Sequence, residues 1–274
     1  SSFDEAITRC VLKHKHAFDI IIEVITIQAL LDHYHIHDEL SDDGALIRWF
    51  KPNHPPYSNQ THVLLNRTLV VHQDLFLKFS EADRDYAQRE FEAYLGHAFS
   101  AFQGLDNQTV NGLAGTLLSL PEQWQRIQDK TATLHTPAYY WGPKTRCPLK
   151  NNLIYSDIYD VFNWSKKSSQ ANPEHLFCFK KPTGYPVLIA SLGEQHLITS
   201  KQTPSTAIQK QLTAHLNMLR NCFNYFIFEA LFFIAPDQIH FGCIHPDLTQ
   251  SSKHSNFDAF IQQHLIHEYF KCLT

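Results

Sequence analysis

This sequence has few charged residues and no long apolar run. Only 18% of its 274 residues are Asp, Glu, Lys or Arg, and the formal net charge is −4. Binding to nucleic acid or to an anionic membrane needs clustered Lys and Arg, so this balance argues against both partners. The most apolar stretch, 223–235, contains Asn224 and Glu229 and is too short to span a bilayer.

The common chemical signatures are also missing. The six cysteines are far apart, with no Cys-x-x-Cys pair, which predicts reduced thiols in a cytoplasmic protein. Residues 1–5 lack a basic start and an apolar centre, so we expect no secretory signal. The chain has no Walker A loop, G-x-G-x-x-G, G-x-S-x-G or H-E-x-x-H motif. None of these motifs therefore identifies a chemistry.

The apolar content, in contrast, is ample. Hydrophobic residues make up 43% of the chain, enough for one large domain or two small ones. In the first half, β-branched or apolar runs predict strands over 18–25, 45–50 and 63–67, with a helix over 26–33 between the first two. A long helix follows Ser80, where Ser80 to Asp83 has capping-box form and one apolar stripe runs to Phe102.

The second half begins with a weakly patterned stretch, 137–173, which is the best candidate for a boundary or a long loop. Before it, Pro121 suits the first turn of a short helix. Beyond it we expect strands over 176–179, 186–191, 196–199, 225–234 and 239–244, a helix through 208–219, and a last helix after Ser255. The pattern indicates an α/β or α+β protein with mixed sheets.

The order of these segments resembles a known family. Val63–Arg67, the helix 84–95, Val110–Leu113, the short helix with Trp124 and the segment 134–137 follow one another as in the N-terminal lobe of ATP-grasp peptide ligases, a group that includes the microviridin maturases. Residues 232–247 are similar to the last hairpin of that fold. The resemblance implies a pre-ATP-grasp-like lobe at 1–137 and a reduced ATP-grasp-like lobe at 138–274.

The resemblance also implies a site and a reaction. ATP and Mg²⁺ would be the cofactors, with Lys180 or Lys181 steadying the phosphates. Arg67, with Asn66 and Asn111, would orient the substrate, a small molecule or a peptide. Its carboxylate would be activated as an acyl phosphate for attack by a nucleophile.

The chain departs from the family at the metal ligands. Where the family has Glu and Asn to hold magnesium, this sequence has Cys243 and His245, and no Gly-rich loop is visible. Mg²⁺ prefers oxygen ligands, whereas thiol and imidazole suit softer metals, so Cys243, His245 and Asp247 are the candidate metal ligands. The alternative is a core cysteine, a surface histidine and an aspartate in a turn.

Two functional hypotheses therefore stand side by side, and a His-based metal-binding protein is a third, less favoured one. One is a diverged ligase-like protein of a biosynthetic or peptide-modifying pathway. The other is a pseudoenzyme, a binding or scaffolding protein with a protein partner, and the lost Glu and Asn ligands and the missing loop favour it.

Two further residue patterns leave alternatives open. His33, His35 and His37 would share one side of an extended segment and could bind Zn²⁺ or Cu²⁺, or they could lie in a solvated loop. The chain has 18 histidines, so its charge changes steeply near pH 6.5. Arg67 could grip a carboxylate or phosphate, or it could buttress the helix after Ser80 through Glu81 or Asp85.

Overall fold

A computed structural model of the chain describes residues 5–17, 20–42, 44–102, 104, 113–114, 117–149, 153–164 and 176–270. Its α-helices are α1 (Ala6–His14), α2 (Ile27–His33), α3 (Glu81–Ala101), α4 (Leu120–Lys130), α5 (Thr206–Phe223) and α6 (Phe257–Phe270). Its strands are β1 (His35–Ser41), β2 (Gly44–Phe50), β3 (Tyr57–Ser58), β4 (Tyr139–Gly142), β5 (Leu153–Tyr155), β6 (Leu176–Lys180), β7 (Tyr185–Leu192), β8 (Gln195–Ser200), β9 (Ile227–Ile234) and β10 (Ile239–His245). The predicted class, helices combined with sheets, is confirmed.

The chain forms two compact units. The first comprises residues 1–116, 225–227 and 246–274, and the second comprises residues 117–224 and 228–245. The boundary after residue 137, which the resemblance implies, stays a prediction.

The first unit is built around a three-stranded antiparallel sheet, β1-β2-β3. In the β1–β2 hairpin, only β2 has buried side chains. Ile47 and Trp49 are two positions apart, so both point to the core face of β2, whereas every residue of β1 is exposed. The helix α3 covers this face with Leu95 and Phe99. The Trp49 indole donates a hydrogen bond to the Tyr94 hydroxyl at 2.9 Å, so the buried indole N–H is satisfied.

The first unit also joins distant parts of the chain. The N-terminal helix α1 contacts α6, and the link is made through one carboxylate. Asp258 accepts hydrogen bonds from Lys13 Nζ at 2.5 Å and bonds His14 Nε2 at 3.1 Å. The Cys10 thiol lies 3.9 Å from the Asp258 carbonyl oxygen. The two helices therefore hold each other across more than two hundred residues of sequence.

The second unit contains two sheets. The larger has the order β10-β9-β7-β8, and the smaller has the order β4-β6-β5. All eight residues of β9 are buried, as expected for a strand inside a sheet that is covered on both faces. The helix α5 ends at Asn224, which adopts the left-handed conformation that often closes helices.

Most of the strongly patterned elements are where the sequence predicts them. The confirmed elements are α2, α3, α4, α5, α6, β2, β6, β7, β8, β9 and β10. Ser80 is the N-cap of α3, but its hydroxyl donates to the Asp83 carboxylate at 2.5 Å and makes no bond to the helix backbone. The capping box predicted there therefore does not form, whereas Ser119 N donates to the Glu122 carboxylate at 2.9 Å at the start of α4.

Two predicted strands are wrong. The described part of 18–25 is irregular, half of its residues are exposed and none is buried, and Ile21 is 94% exposed. The segment 63–67 is also irregular apart from one bridge residue, Val63. Both runs have β-branched or apolar side chains, but neither pairs with a neighbouring strand in the described part of the chain, and strand formation depends on such a partner. Among the described residues, no helix has the length and apolar character needed to cross a membrane.

Candidate functional site

The end of the last hairpin brings together three residues that can carry chemistry. In the β9–β10 ladder, His245 lies opposite Glu229, and a bulge at Gly242 shifts the register before Cys243. Glu229 and Cys243 are fully buried, while His245 is partly exposed and its ring lies 6.1 Å from that of Phe162. This is the position where the sequence predicts a departure from the family's magnesium ligands.

The Cys243 side chain is held as a neutral thiol. Burial raises its pKa well above the ordinary value, and the neighbouring Glu229 carboxylate raises it further. A metal-ligating cysteine is a thiolate, so this environment opposes metal binding through sulfur. Cys243 therefore behaves as a core residue.

Six aromatic side chains fill the space beside this hairpin. This aromatic cluster consists of Trp124, Tyr139, Trp164, Phe177, Phe179 and Phe233. At its centre, Trp164 has its ring 4.9 Å from the ring of Phe179 on β6 and 4.9 Å from that of Phe233 on β9. Its side chain also lies within hydrogen-bonding range of the Cys243 thiol. A buried tryptophan thus occupies the volume between β6 and the hairpin.

The outer edge of β10 is closed by polar groups from α4 and the segment after it. Trp124 Nε1 donates to the Gly242 carbonyl at 2.6 Å, and the Ile244 N–H donates to the Gln123 side-chain oxygen at 2.8 Å. The Phe241 N–H donates to the His135 carbonyl at 2.8 Å. An edge strand leaves a row of open backbone groups, and here they are paired inside the unit.

Lys180 and Lys181 lie at the end of β6, and both side chains are exposed. Side chains alternate between the two faces of a strand, so Lys180 points to the face opposite Phe179. Phe179 faces Trp164, and Trp164 reaches Cys243. The structure therefore does not bring Lys180 together with the hairpin residues, and phosphate binding by the two lysines stays a prediction.

Asn66 and Arg67 are buried in the first unit and are engaged there. The Asn66 side chain accepts a hydrogen bond from the Thr68 N–H at 2.9 Å. Arg67 bonds the Glu5 carboxylate at 2.9 and 3.3 Å and the Pro246 carbonyl at 2.7 Å. Its partner is thus Glu5, the N-cap of α1, and not Glu81 or Asp85. A role of Asn66 and Arg67 in orienting a substrate stays a prediction, and Asn111 lies outside the described residues.

A metal-binding role of Cys243, His245 and Asp247 stays a prediction. Within the part of the chain that the structure describes, no group of three or more His, Cys, Asp and Glu side chains is arranged to hold a metal ion. Asp247 accepts a hydrogen bond from the Thr249 hydroxyl, as a turn residue would. His35 and His37 lie on the exposed strand β1, where His37 contacts Glu39 at 3.1 Å, and His33 ends α2.

ATP and Mg²⁺, which the fold implies, do not fit the residues of this hairpin. Magnesium needs oxygen ligands, and β10 offers a protonated thiol and an imidazole in their place. In the described structure, Glu229 is the only carboxylate among the paired residues of β9 and β10, and it is fully buried.

The sequence analysis missed Glu229 and Trp164. Glu229 had a visible signal, since it is the single charged residue in the apolar run 225–234. Trp164 had none, because it comes from the weakly patterned stretch and its indole is fixed by a bond to the Val161 carbonyl at 2.8 Å.

Comparisons of the sequence with profiles of known families and with curated proteins give no match. Solved structures do match in fold. The macrocyclase MdnC bound with precursor peptide MdnA, from Microcystis aeruginosa, is 10% identical, with a TM-score of 0.65 and 96% of each chain covered. The macrocyclase MdnB from the same organism is 9% identical, with a TM-score of 0.57 over 97% of this chain and 96% of that one.

The ATP-grasp ligase PsnB, complexed with a phosphomimetic variant of minimal precursor, Mg and ADP, gives a TM-score of 0.63. It is 11% identical, and the match covers 97% of this chain and 94% of PsnB. All three matches run through both units of the chain. This protein therefore has the fold of the ATP-grasp peptide ligases.

Proposed function

We propose that this protein is a non-catalytic member of the ATP-grasp fold that binds a peptide or protein partner. The observation that carries this proposal is the packing of Trp164 against Cys243, Phe179 and Phe233. A nucleotide with its magnesium ion needs an open, polar volume beside the last hairpin, and here that volume is aromatic core.

The electrostatics of the hairpin support the same conclusion. The reaction implied by the fold needs a cation to balance the charge of transferring phosphate, and oxygen ligands to hold that cation. Cys243 is neutral and buried, and Lys180 lies on the far face of β6. The described residues of the hairpin and of β6 therefore support the absence of phosphoryl transfer in this proposal.

Peptide binding is the part of the ligase function that does not need this volume. MdnC was solved with a precursor peptide and PsnB with a minimal precursor. A protein that retains this fold and loses the nucleotide site retains surfaces on which a peptide can dock. We therefore assign this protein a binding role in a peptide-modifying pathway.

Calorimetric titration of the full chain with ATP–Mg²⁺ tests the proposal. PsnB, whose structure holds Mg and ADP, serves as the positive control. We expect no binding heat up to millimolar nucleotide, no ADP release, and no rise in Tm. A ligand at about 100 times its Kd would add roughly 2.7 kcal/mol to the unfolding free energy, so binding would be visible.

The competing hypothesis, ATP-dependent activation and ligation of a carboxylate, predicts the opposite results. It requires saturable nucleotide binding that weakens in Lys180→Met or Lys181→Met. Such a result would overturn the proposal. Parallel arms with Zn²⁺ and Cu²⁺ test the histidine-based metal hypothesis, and we expect neither ion to raise the Tm.

A further inference from the structure

The first unit contains a cavity that the ATP-grasp fold does not explain. Its volume is about 360 Å³, within the range of ligand pockets. It lies between α1, the segment 20–25 and the loop before β3, and its apolar wall includes Val11, Ile22 and Val24. The wall also carries two tyrosines and two lysines, so the cavity combines apolar surface with charge.

Among the described residues that line this cavity, Glu23 is the only carboxylate, and it is already engaged. Glu23 accepts a hydrogen bond from the Tyr57 hydroxyl and lies 3.4 Å from His54 Nε2. The His54 ring stacks on Tyr57 with a centroid separation of 4.8 Å and an angle of 6° between the planes. These contacts hold the Glu23 carboxylate at one wall of the cavity and fix the positions of the His54 and Tyr57 rings.

The two lysines of this wall, in contrast, have no carboxylate partner among the residues that the structure describes. Lys51 Nζ stands 6.0 Å from the ring centroid of Tyr34, and Lys15 is exposed at the end of α1. Among the described residues, no carboxylate lies within ion-pairing distance of Lys15 or Lys51. The cavity therefore offers two ammonium groups to an anionic ligand.

One wall of the cavity is a segment of unpaired backbone. In the described structure, residues 20–25 make no backbone–backbone hydrogen bond. Four of these six residues are isoleucine and one is valine, a composition that favours a strand. Ile21 is 94% exposed although it is large and apolar. A segment with strand-forming residues and free backbone groups can pair with an added extended chain.

We propose that this cavity binds an extended acidic peptide. The peptide backbone pairs with residues 20–25, one apolar side chain enters the cavity beside Val24, and a carboxylate lies near Lys15 and Lys51. The charge complementarity selects an acidic peptide over a basic or neutral one. The proposed function combines an absence of catalysis with peptide binding. This inference gives the place where the peptide docks, and it rests only on the peptide binding.

Fluorescence anisotropy with the full chain tests this binding. The probe is a fluorescein-labelled pentapeptide of alternating valine and glutamate with blocked ends, compared with versions carrying glutamine or lysine in place of glutamate. We expect the acidic probe to bind about tenfold more tightly than the glutamine probe, as two partly exposed charge contacts imply. The lysine probe should not bind. Equal binding of all three probes, or no binding of the acidic one, overturns the proposal.

A matched pair of variants separates this site from non-specific charge attraction. Lys15→Met with Lys51→Met removes two charges at the cavity, and the expected loss of affinity is about tenfold. Lys201→Met with Lys210→Met removes two exposed charges from the second unit and should leave the Kd unchanged. An equal loss in both variants would mean attraction by net charge and would overturn the proposal. Unchanged Tm values show that the variants are folded.

Hydrogen exchange supplies the structural readout. Peptide pairing predicts slower exchange of the amides of residues 20–25 when the acidic probe is added, since surface adsorption makes no backbone hydrogen bonds. Absence of this protection also overturns the proposal. The ATP–Mg²⁺ titration remains a separate measurement, so nucleotide binding would refute the non-catalytic assignment without deciding on the peptide site.

Discussion

The buried ion pair between Glu5 and Arg67 gives the sharpest stability prediction. The carboxylate and guanidinium groups are 4% and 6% exposed, with Nη2 and Oε1 separated by 2.9 Å. Glu5 also accepts a hydrogen bond from the Thr8 N–H at 2.8 Å and so caps α1. Arg67→Met leaves this carboxylate buried without its charge partner.

The expected cost follows from burial. Removing one partner of a buried ion pair costs about 3–5 kcal/mol, because the remaining charge loses both water and its partner. For a protein of this size, each kcal/mol lowers the Tm by roughly 2–4 °C, so Arg67→Met should lower it by about 6–20 °C. The double variant Glu5→Met with Arg67→Met should recover part of this loss, because no buried charge remains.

Differential scanning calorimetry measures the effect, and the chain provides a control with the same geometry. Arg89 and Asp85 also lie 2.9 Å apart, but their side chains are 74% and 63% exposed. Exposed helical pairs of this kind are worth about 0.3–0.5 kcal/mol, so Arg89→Met should shift the Tm by less than about 2 °C. If Arg67→Met costs no more than Arg89→Met, the structural role assigned to Arg67 is refuted and a ligand-binding role regains support.

Three further predictions concern the second unit and one glycine of the first. Hydrogen peroxide should link Cys147 and Cys178, whose Sγ atoms are 3.7 Å apart, with a loss of two protons and two electrons; peptide mapping should find the linked pair, and Cys178→Ser should abolish it. The reaction should be slow at neutral pH, since burial and then the neighbouring thiol raise the pKa of Cys178 to about 12.

Burial, with a smaller contribution from Arg220, lowers the pKa of His196 from 6.5 to about 4, so the unfolded chain binds the proton more tightly. Stability should therefore fall as the pH drops from about 6.5 to about 4, and His196→Gln should flatten this slope in urea titrations. Gly184→Ala should destabilise more than Gly44→Ala in thermal melts. Both have positive φ, but only at Gly184 does a Cβ come within 2.3 Å of a backbone carbonyl oxygen.

The elements that the sequence predicts correctly have strong local patterns. The helix α3 carries an apolar stripe over several turns, and the β9–β10 hairpin has two apolar runs around Ala235–Gln238. Such periodic patterns predict a helix or a strand from the local sequence alone, without knowledge of the segments that pack against it. The N-terminal helix α1 escaped prediction although Glu5 caps it through its side chain, because its first turn depends on the distant Arg67.

The strand β1 shows the opposite problem. Its sequence is polar and rich in histidine, which predicts a loop, and all of its side chains are exposed. It is a strand because its backbone pairs with β2 from His35 to Ser41. The segment 20–25 has far better strand composition but no strand partner among the described residues. Pairing, and not composition, decides between these two segments.

At the candidate site, the sequence likewise points to the residues with a local pattern and not to those that long-range contacts bring in. Cys243 and His245 stand out by their positions in the last hairpin, which local sequence determines. The contact of Trp164 with Cys243 joins residues about eighty positions apart, through a stretch with no periodic pattern. No local signal reports such a contact, so the packing of Trp164 beside the hairpin was visible only in three dimensions.

The pairing of α1 with α6 has a consequence for how the protein is made. Asp258 lies 245 residues after Lys13, so α1 leaves the ribosome long before the helix that it contacts exists. During that interval the buried face of α1, with Ile7, Cys10 and Val11, has no final partner. Contacts of such long sequence separation form slowly and leave apolar surface exposed to aggregation. We therefore expect the apolar face of α1 to need protection during synthesis until residues beyond 257 have emerged.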